Sequence, residues 1–172
     1  MSEQTQDARY WVESLYLQPH PEGGYFRETY RATGEVSASS LGEGFSGPRS
    51  YATGIYYLLE QGDYSAFHRI RSDEMWHFYA GGALEIHMLD ASGHSVALLG
   101  SDPSRGEVFQ FVVPAGVWFA SRPKAGVEYA LVGCTVSPGF DFRDFELAST
   151  AQIAELAAGR AEELLKKFPV RS

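Results

Sequence analysis

Between Tyr51 and Val136 the chain divides into eight short apolar runs, each of strand length, with glycine-bearing turns in six of the seven gaps between them. This rhythm restricts the fold more than any other feature. The runs are Tyr51–Glu60, Ser65–Ile70, Met75–Tyr79, Ala83–Asp90, Ser95–Leu99, Val108–Val113, Val117–Ser121 and Val127–Val136. Between them stand Gly62, Gly81-Gly82, Ser92-Gly93, Ser104-Arg105-Gly106, Pro114-Ala115-Gly116 and Lys124-Ala125-Gly126, residues that turn the backbone without strain. No helical segment long enough for a crossover separates the runs, so they join as antiparallel hairpins and a parallel sheet is excluded. An all-β jelly-roll or barrel, closed so that no strand edge is left open, is the expected architecture.

The flanks read differently. Residues 7–17 place Tyr10, Trp11, Leu15 and Tyr16 on one side of a short amphipathic helix, which ends at Gln18-Pro19-His20-Pro21. Residues 33–49, with Gly34, Gly42, Gly44 and Gly47 among serines, read as a long surface loop, either a lid or a hairpin tip without consequence. Ser149 and Gln152 match a capping box, and Ile153, Leu156, Leu164 and Leu165 supply an apolar helical face, so helices are expected over 150–167, closed by Pro169. The 172 residues thus form one domain, with the barrel over about 25–148.

Lys and Arg number 14 against 22 Asp and Glu, a formal charge of −8, which leaves no broad basic face for nucleic acid. The opening Met1-Ser2-Glu3-Gln4-Thr5-Gln6-Asp7 is polar, the single cysteine allows no intramolecular disulfide, and no apolar run reaches membrane-spanning length. A cytoplasmic protein with no membrane partner is expected.

Polar chemistry concentrates where His68 and Glu74 stand between Gly62 and Gly81. Alternation along a strand sends His68 and Ile70 to the same face, with Glu74, Trp76 and Phe78 facing that interior after the turn. His77 and His87 fall on the opposite parity and are expected at the surface or in a dimer contact. The spacing resembles the first cupin motif, Gly-x5-His-x-His-x3-Glu-x6-Gly, with Ile70 in place of the second His. A second motif resembles Pro114-Ala115-Gly116, but Phe119 stands where that motif has His and Pro123 where it has Asn. Two of the four ligand positions remain, His68 and Glu74, and two seldom hold a divalent ion. No cofactor is therefore expected; if a metal is bound, those two residues would be its ligands.

Four separated blocks sharpen the resemblance: His20-Pro21-Glu22-Gly23-Gly24-Tyr25-Phe26-Arg27-Glu28-Thr29, Ile55-Tyr56-Tyr57-Leu58-Leu59, Phe67-His68-Arg69, and Val132-Gly133-Cys134-Thr135-Val136-Ser137-Pro138-Gly139-Phe140-Asp141-Phe142. In this order they resemble the DUF985, or cupin_5, family across nearly the whole chain. That resemblance implies a cupin double-stranded β-helix, usually a homodimer, in a family with no firmly assigned reaction. It also implies a likeness to metal-free sugar-nucleotide epimerases, in which a pocket His acts as base and a Tyr as acid.

His68 is accordingly read in two ways: as a general base oriented by Glu74, or as an ancestral ligand pair that now only hydrogen-bonds internally. Tyr57 and Tyr129 are candidate proton donors, and Arg27, Tyr25, Trp76, Phe78, Phe119 and Asp141 are candidate ligand-binding residues. Arg27 would grip a phosphate or carboxylate if it faces inward, and would pair with Glu22 or Glu28 if it does not. Cys134 reads as an inert buried thiol. The expected function is binding of a small polar metabolite, such as a sugar or nucleotide-sugar, with isomerisation or epimerisation by His68. The rivals are a non-catalytic sensing module and a divalent-metal oxygenase or isomerase.

Overall fold

The computed structural model describes residues 6–21 and 23–172; Glu22, placed by the sequence in a turn and as a partner for Arg27, and the first five residues of the polar opening lie outside the described residues. In chain order the elements begin with α1 (Ala8–Ser14), β1 (Gln18–Pro19), β2 (Tyr25–Arg31), β3 (Glu35–Val36), β4 (Arg49–Ser50), β5 (Thr53–Glu60), β6 (Ser65–Arg69) and β7 (Asp73–Gly81). They continue with β8 (Leu84–Asp90), β9 (Gly93–Leu99), β10 (Glu107–Val108), β11 (Gln110–Val113), β12 (Trp118–Pro123), β13 (Tyr129–Ser137), β14 (Glu146–Leu147), α2 (Thr150–Leu156) and α3 (Ala161–Lys167).

Two six-stranded sheets face each other, in the orders β1-β2-β5-β13-β7-β11 and β10-β9-β8-β12-β6-β14. The architecture is the expected jelly roll, but the two sheets hydrogen-bond separately and do not close into a continuous barrel. Pairing is antiparallel except for β9 with β10, a two-residue parallel contact that the hairpin reading excluded. It arises because the chain rises from β9 through a short 3-10 turn, Pro103–Arg105, and comes back alongside.

Side-chain alternation sorts the apolar residues into three layers. Between the sheets lie Tyr57, Leu59, Trp76, Leu84, Ile86, Leu99, Val113, Phe119, Val132 and Cys134. On the outer face of the second sheet, Phe67, Leu89, Trp118 and Ala120 are covered by α2 and α3 through Ile153, Leu164 and Phe168. On the outer face of the first, Leu58 and Leu131 are covered by α1 through Trp11, Val12 and Leu15. Two of the helices are capped by side chains: at α1, Asp7 accepts from the Tyr10 N–H at 2.8 Å, and at α2, Ser149 and Gln152 form the reciprocal capping box that the sequence anticipates.

The 33–49 stretch is more ordered than its composition suggests. It holds the β3–β4 ribbon and a 3-10 turn at Ala38–Ser40, and none of its residues lines the cavity described below. At its end Arg49 is buried in a bidentate pair with Asp144, both bonds at 2.7 Å.

Two of the bulges in the sheets decide what points into the cavity. In β2 the register runs Glu28↔Ile55 and then Tyr30↔Gly54, so Thr29 is an extra residue and Arg31, not Tyr30, follows Glu28 on the inner face. In β6, the three steps from Ser65 to His68 span only two on β12, from Ser121 to Phe119, and both Ser65 and His68 turn inward.

Candidate functional site

One end of the space between the sheets stays open as a cavity of about 480 Å³. Its wall is mainly apolar, with Phe26, Ile55, Ile70, Trp76 and Val136, and the aromatic trio Phe140, Phe142 and Phe145 forms the rim. Into it face His20, Glu28, Arg31, Tyr57, His68, Glu74, Cys134 and Asp141. An apolar pocket with a few convergent polar groups is the usual build of a small-molecule site.

His68 stands buried between two rings, 4.1 Å from Phe119 and stacked at 5.1 Å on Phe145. Its Nδ1 lies 2.8 Å from the carbonyl oxygen of Ala66, which can only accept, so Nδ1 carries the proton and Nε2 is left as an acceptor. Burial pushes its pKa down to about 4, against the smaller opposing effect of the Ala66 bond. The imidazole is therefore neutral and held in one tautomer at neutral pH.

Glu74 is equally buried, and desolvation pushes its carboxyl up to about 7, with the Cys134 thiol favouring the charged form only weakly. Cys134 is raised well above its ordinary value by the same burial and by the adjacent Glu74. The sheet explains the neighbourhood: Glu74 pairs with Val136 and Trp76 with Cys134, all on one face of β7 and β13. Trp76 is nearly fully buried, and its indole N–H has no hydrogen-bond partner among the described residues.

Sequence reasoning missed His20. It reaches the cavity from the turn between β1 and β2, where the His20 N–H donates to the Gly24 carbonyl at 2.9 Å and the Gly23 N–H to the His20 carbonyl at 3.1 Å. Gly24 has φ +74°, and a Cβ there would strike the Leu58 carbonyl of β5. Only glycine lets the turn lie this close, and that closeness carries the imidazole into the cavity. Its ring meets Phe26 at 4.8 Å and Tyr57 at 5.6 Å. Burial first, and then the charge of Arg171, lower its pKa. The Tyr57 hydroxyl donates to the Gly23 carbonyl at 3.0 Å, tying the turn to β5.

The cavity thus brings together His68, Glu74, Tyr57, Trp76 and Asp141 of the sequence candidates, and the others are placed elsewhere. Tyr129 lies outside the sheets beneath α1, where its hydroxyl accepts from the Trp11 indole N–H at 3.0 Å and donates to the Gln6 carbonyl at 2.6 Å. Tyr25 packs in the same outer layer. Arg27 shares that outer parity, is exposed, and donates to the Leu15 carbonyl at 3.0 Å, holding the end of α1 instead of an anion. Its suggested acidic partner Glu28 is instead held by Arg31, at 2.8 and 2.9 Å.

Phe78 faces the interior as expected but packs in the core away from the cavity, and Phe119 is a buried floor behind His68. Asp141 stands at the rim but is gripped by Arg143 at 2.8 and 2.9 Å, which holds its carboxyl far below the usual range. His77 is at the surface as expected, bonded to the Thr135 hydroxyl at 2.9 Å. His87 is not: it is buried under α3, outside the cavity.

The fold family implies a divalent metal, and the side chains do not fit one. Ile70 and Phe119 occupy two of the four ligand positions, and among the described residues no group of three His, Cys, Asp or Glu side chains is arranged to hold an ion.

The model of the cupin superfamily family DUF985 matches residues 9–148. An uncharacterized protein of Saccharomyces cerevisiae is 33% identical over 143 residues, covering 77% of this chain and 71% of the yeast protein. Among solved structures, a protein from Shewanella oneidensis aligns with TM-score 0.83 and 37% identity over 97% of this chain and all of its own (100%). A hypothetical protein from Leishmania major aligns with TM-score 0.81 and 35% identity over 94% of this chain and 98% of its own. An oxalate decarboxylase from Bacillus subtilis, at 16% identity, TM-score 0.52 and 34% of its own length, shares the fold alone. With most of its length matched by that family's model and with its sheets laid out as a jelly roll, the chain belongs to the DUF985 family of the cupin superfamily.

Proposed function

We propose that this cupin binds a small polar metabolite, a sugar or nucleotide-sugar, in the cavity and isomerises or epimerises it by proton transfer without a metal. The observation that carries this reading is the Glu74 carboxyl, buried in the cavity wall with its pKa pushed up to about 7. A group poised there can take a proton from an organic substrate and return it at neutral pH. His68 is the less suited base, because its conjugate acid forms only near pH 4; its fixed Nε2 acceptor orients a substrate hydroxyl instead. The roles first read from the sequence are thereby exchanged. Tyr57 and His20, in contact with each other and lining the same cavity, are the candidate groups to hold or donate a proton at the substrate.

The test is a thermal-shift screen of sugars, nucleotide-sugars and related anions on the native protein, since a ligand specific to the folded state raises the melting temperature. The ligand found is then incubated in deuterated water with native protein, Glu74→Gln and His68→Asn. Deuterium entering the ligand with native protein, lost by a factor of about 100 or more in Glu74→Gln while binding persists, is the expected result. Binding with no deuterium entry in the native protein identifies a sensing module instead. Turnover unaffected by Glu74→Gln overturns the assignment, and stoichiometric iron, manganese, zinc or nickel in protein purified without chelator overturns the metal-free reading.

A further inference from the structure

Two of the histidines that the cavity does not use, His87 and His94, lie beneath the C-terminal helix in a chain of hydrogen bonds with only one consistent direction. The Arg160 guanidinium, which can only donate, lies 2.8 Å from His94 Nδ1, so that nitrogen accepts. His94 Nε2 must then carry the proton, and it donates to His87 Nδ1 at 3.0 Å. His87 Nε2 in turn donates to the Glu85 carboxylate at 3.0 Å. Every nitrogen is used, and both rings are neutral. A proton added to either ring puts N–H against N–H, at Arg160 for His94 or at His94 for His87.

From these contacts we infer that the C-terminal segment is a strap released by acid, held closed by this one-directional chain while both histidines are neutral. The elements around it set the balance of charge. Glu85 on β8 and Glu163 on α3 favour a protonated ring, whereas Arg122 on β12 and Arg160 and Lys167 at the two ends of α3 oppose it. The strap lies directly over the ring chain: Phe168, which follows α3, meets His87 at 4.8 Å and Phe67 of β6 at 5.3 Å. Three residues on, Arg171 stacks at 4.3 Å on Tyr64 and packs against Gly23 in the turn that carries His20. Release of the strap therefore withdraws a cation and a packing contact from the His20 side of the cavity.

The sign follows from linkage. His87 and His94 titrate below the ordinary value in the closed state, His94 at about 4, so the open state takes up protons first. The closed strap is at full strength above about pH 6.5 and weakens as pH falls, by at most about tenfold per pH unit for each ring.

The experiment is hydrogen exchange on the full chain, corrected for intrinsic rates, comparing about pH 7 with about pH 5. Protection of the peptide over residues 161–171 is expected to fall at least about tenfold on acidification, while the β13 peptide keeps its protection. In His87→Gln/His94→Gln, each amide oxygen accepts and each amide N–H₂ donates in the same direction without titrating, so the fall should disappear. If that double variant does not fold, His94→Gln alone should reduce the dependence by at least half. Equal loss in β13, no loss in the native protein, or the same loss in either Gln variant overturns the strap. None of these readouts depends on a ligand or on the reading of the cavity.

Discussion

Glu74 and His68 are buried in one cavity with pKa shifts of opposite sense, and their effects on stability run in opposite directions along the pH axis. The folded Glu74 carboxyl is raised from 4.5 to about 7, so it contributes stability below pH 4.5 that is lost as pH rises through 7. Folded His68 is lowered from 6.5 to about 4, so its contribution is present above pH 6.5 and lost as pH falls through 4. Urea unfolding across this range should show Glu74→Gln gaining on the native protein from pH 4.5 to 7, by up to about 3 kcal/mol. His68→Asn should gain in the other direction, from pH 6.5 down to 4. Parallel curves for native and variant proteins would mean that neither group is desolvated as its position implies. At this scale the sequence was legible in part: the parity of β7 sent Glu74 and Trp76 to the interior, where both line the cavity, whereas Tyr57 was named beside Tyr129 with no parity to choose between them. The parity of β13 also carried a signal about Tyr129, which alternates out of phase with Val132 and Cys134 and so faces away from them. His20 had no such signal, because a residue between two prolines in a turn belongs to no period.

Bulges and buried ion pairs act one level up, on whole elements, and periodicity does not report them. Strict alternation in β2 sends Tyr30 inward; the extra Thr29 sends Arg31 there instead, and nothing local in the sequence marks a seven-residue strand as bulged. The same holds for Ser65 and His68, which share a face only through the bulge in β6. Arg49 was legible as a charge but not as a buried one, since its partner Asp144 lies 95 positions away. That pair ties the β3–β4 ribbon to the 3-10 turn Phe142–Asp144, and the turn carries the aromatic rim, with Phe142 left 73% exposed. Asp144→Asn leaves a buried guanidinium without its counter-charge and should cost about 3–5 kcal/mol in urea unfolding. Asp144→Asn should also raise exchange in the 138–146 rim more than in α2. Ser149→Ala removes only the capping box of α2 and should cost about 1 kcal/mol. A smaller loss for Asp144→Asn than for Ser149→Ala would mean that the ion pair is not an anchor.

In the whole molecule, the helices cover the sheets unequally. α2 and α3 cover much of the outer face of the second sheet, whereas α1 covers only the part of the first sheet around Leu58 and Leu131. The uncovered remainder carries Tyr30, Met75, His77, Tyr79 and Val112, with Tyr79 half exposed and its ring lying over Gly133, where a Cβ would displace it. Exposed apolar and aromatic side chains gathered on one sheet face suit a self-complementary contact about a two-fold axis. We propose that two copies pair through this face. The net charge of −8 on each copy opposes the association, so added salt should strengthen it by screening. Sedimentation of the native chain at micromolar concentration is expected to give a dimer, tightened between low and moderate salt. Tyr79→Glu places a charge in the centre of the contact and should shift the chain to monomer without changing its far-ultraviolet circular dichroism. Val96→Glu, on the outer face of the other sheet, should leave the dimer intact. A native monomer, or dissociation by Val96→Glu and not by Tyr79→Glu, would place the contact elsewhere or remove it. Because Tyr79 is on the same strand as Glu74 but faces away from it, the monomeric variant would also separate assembly from the chemistry of the cavity.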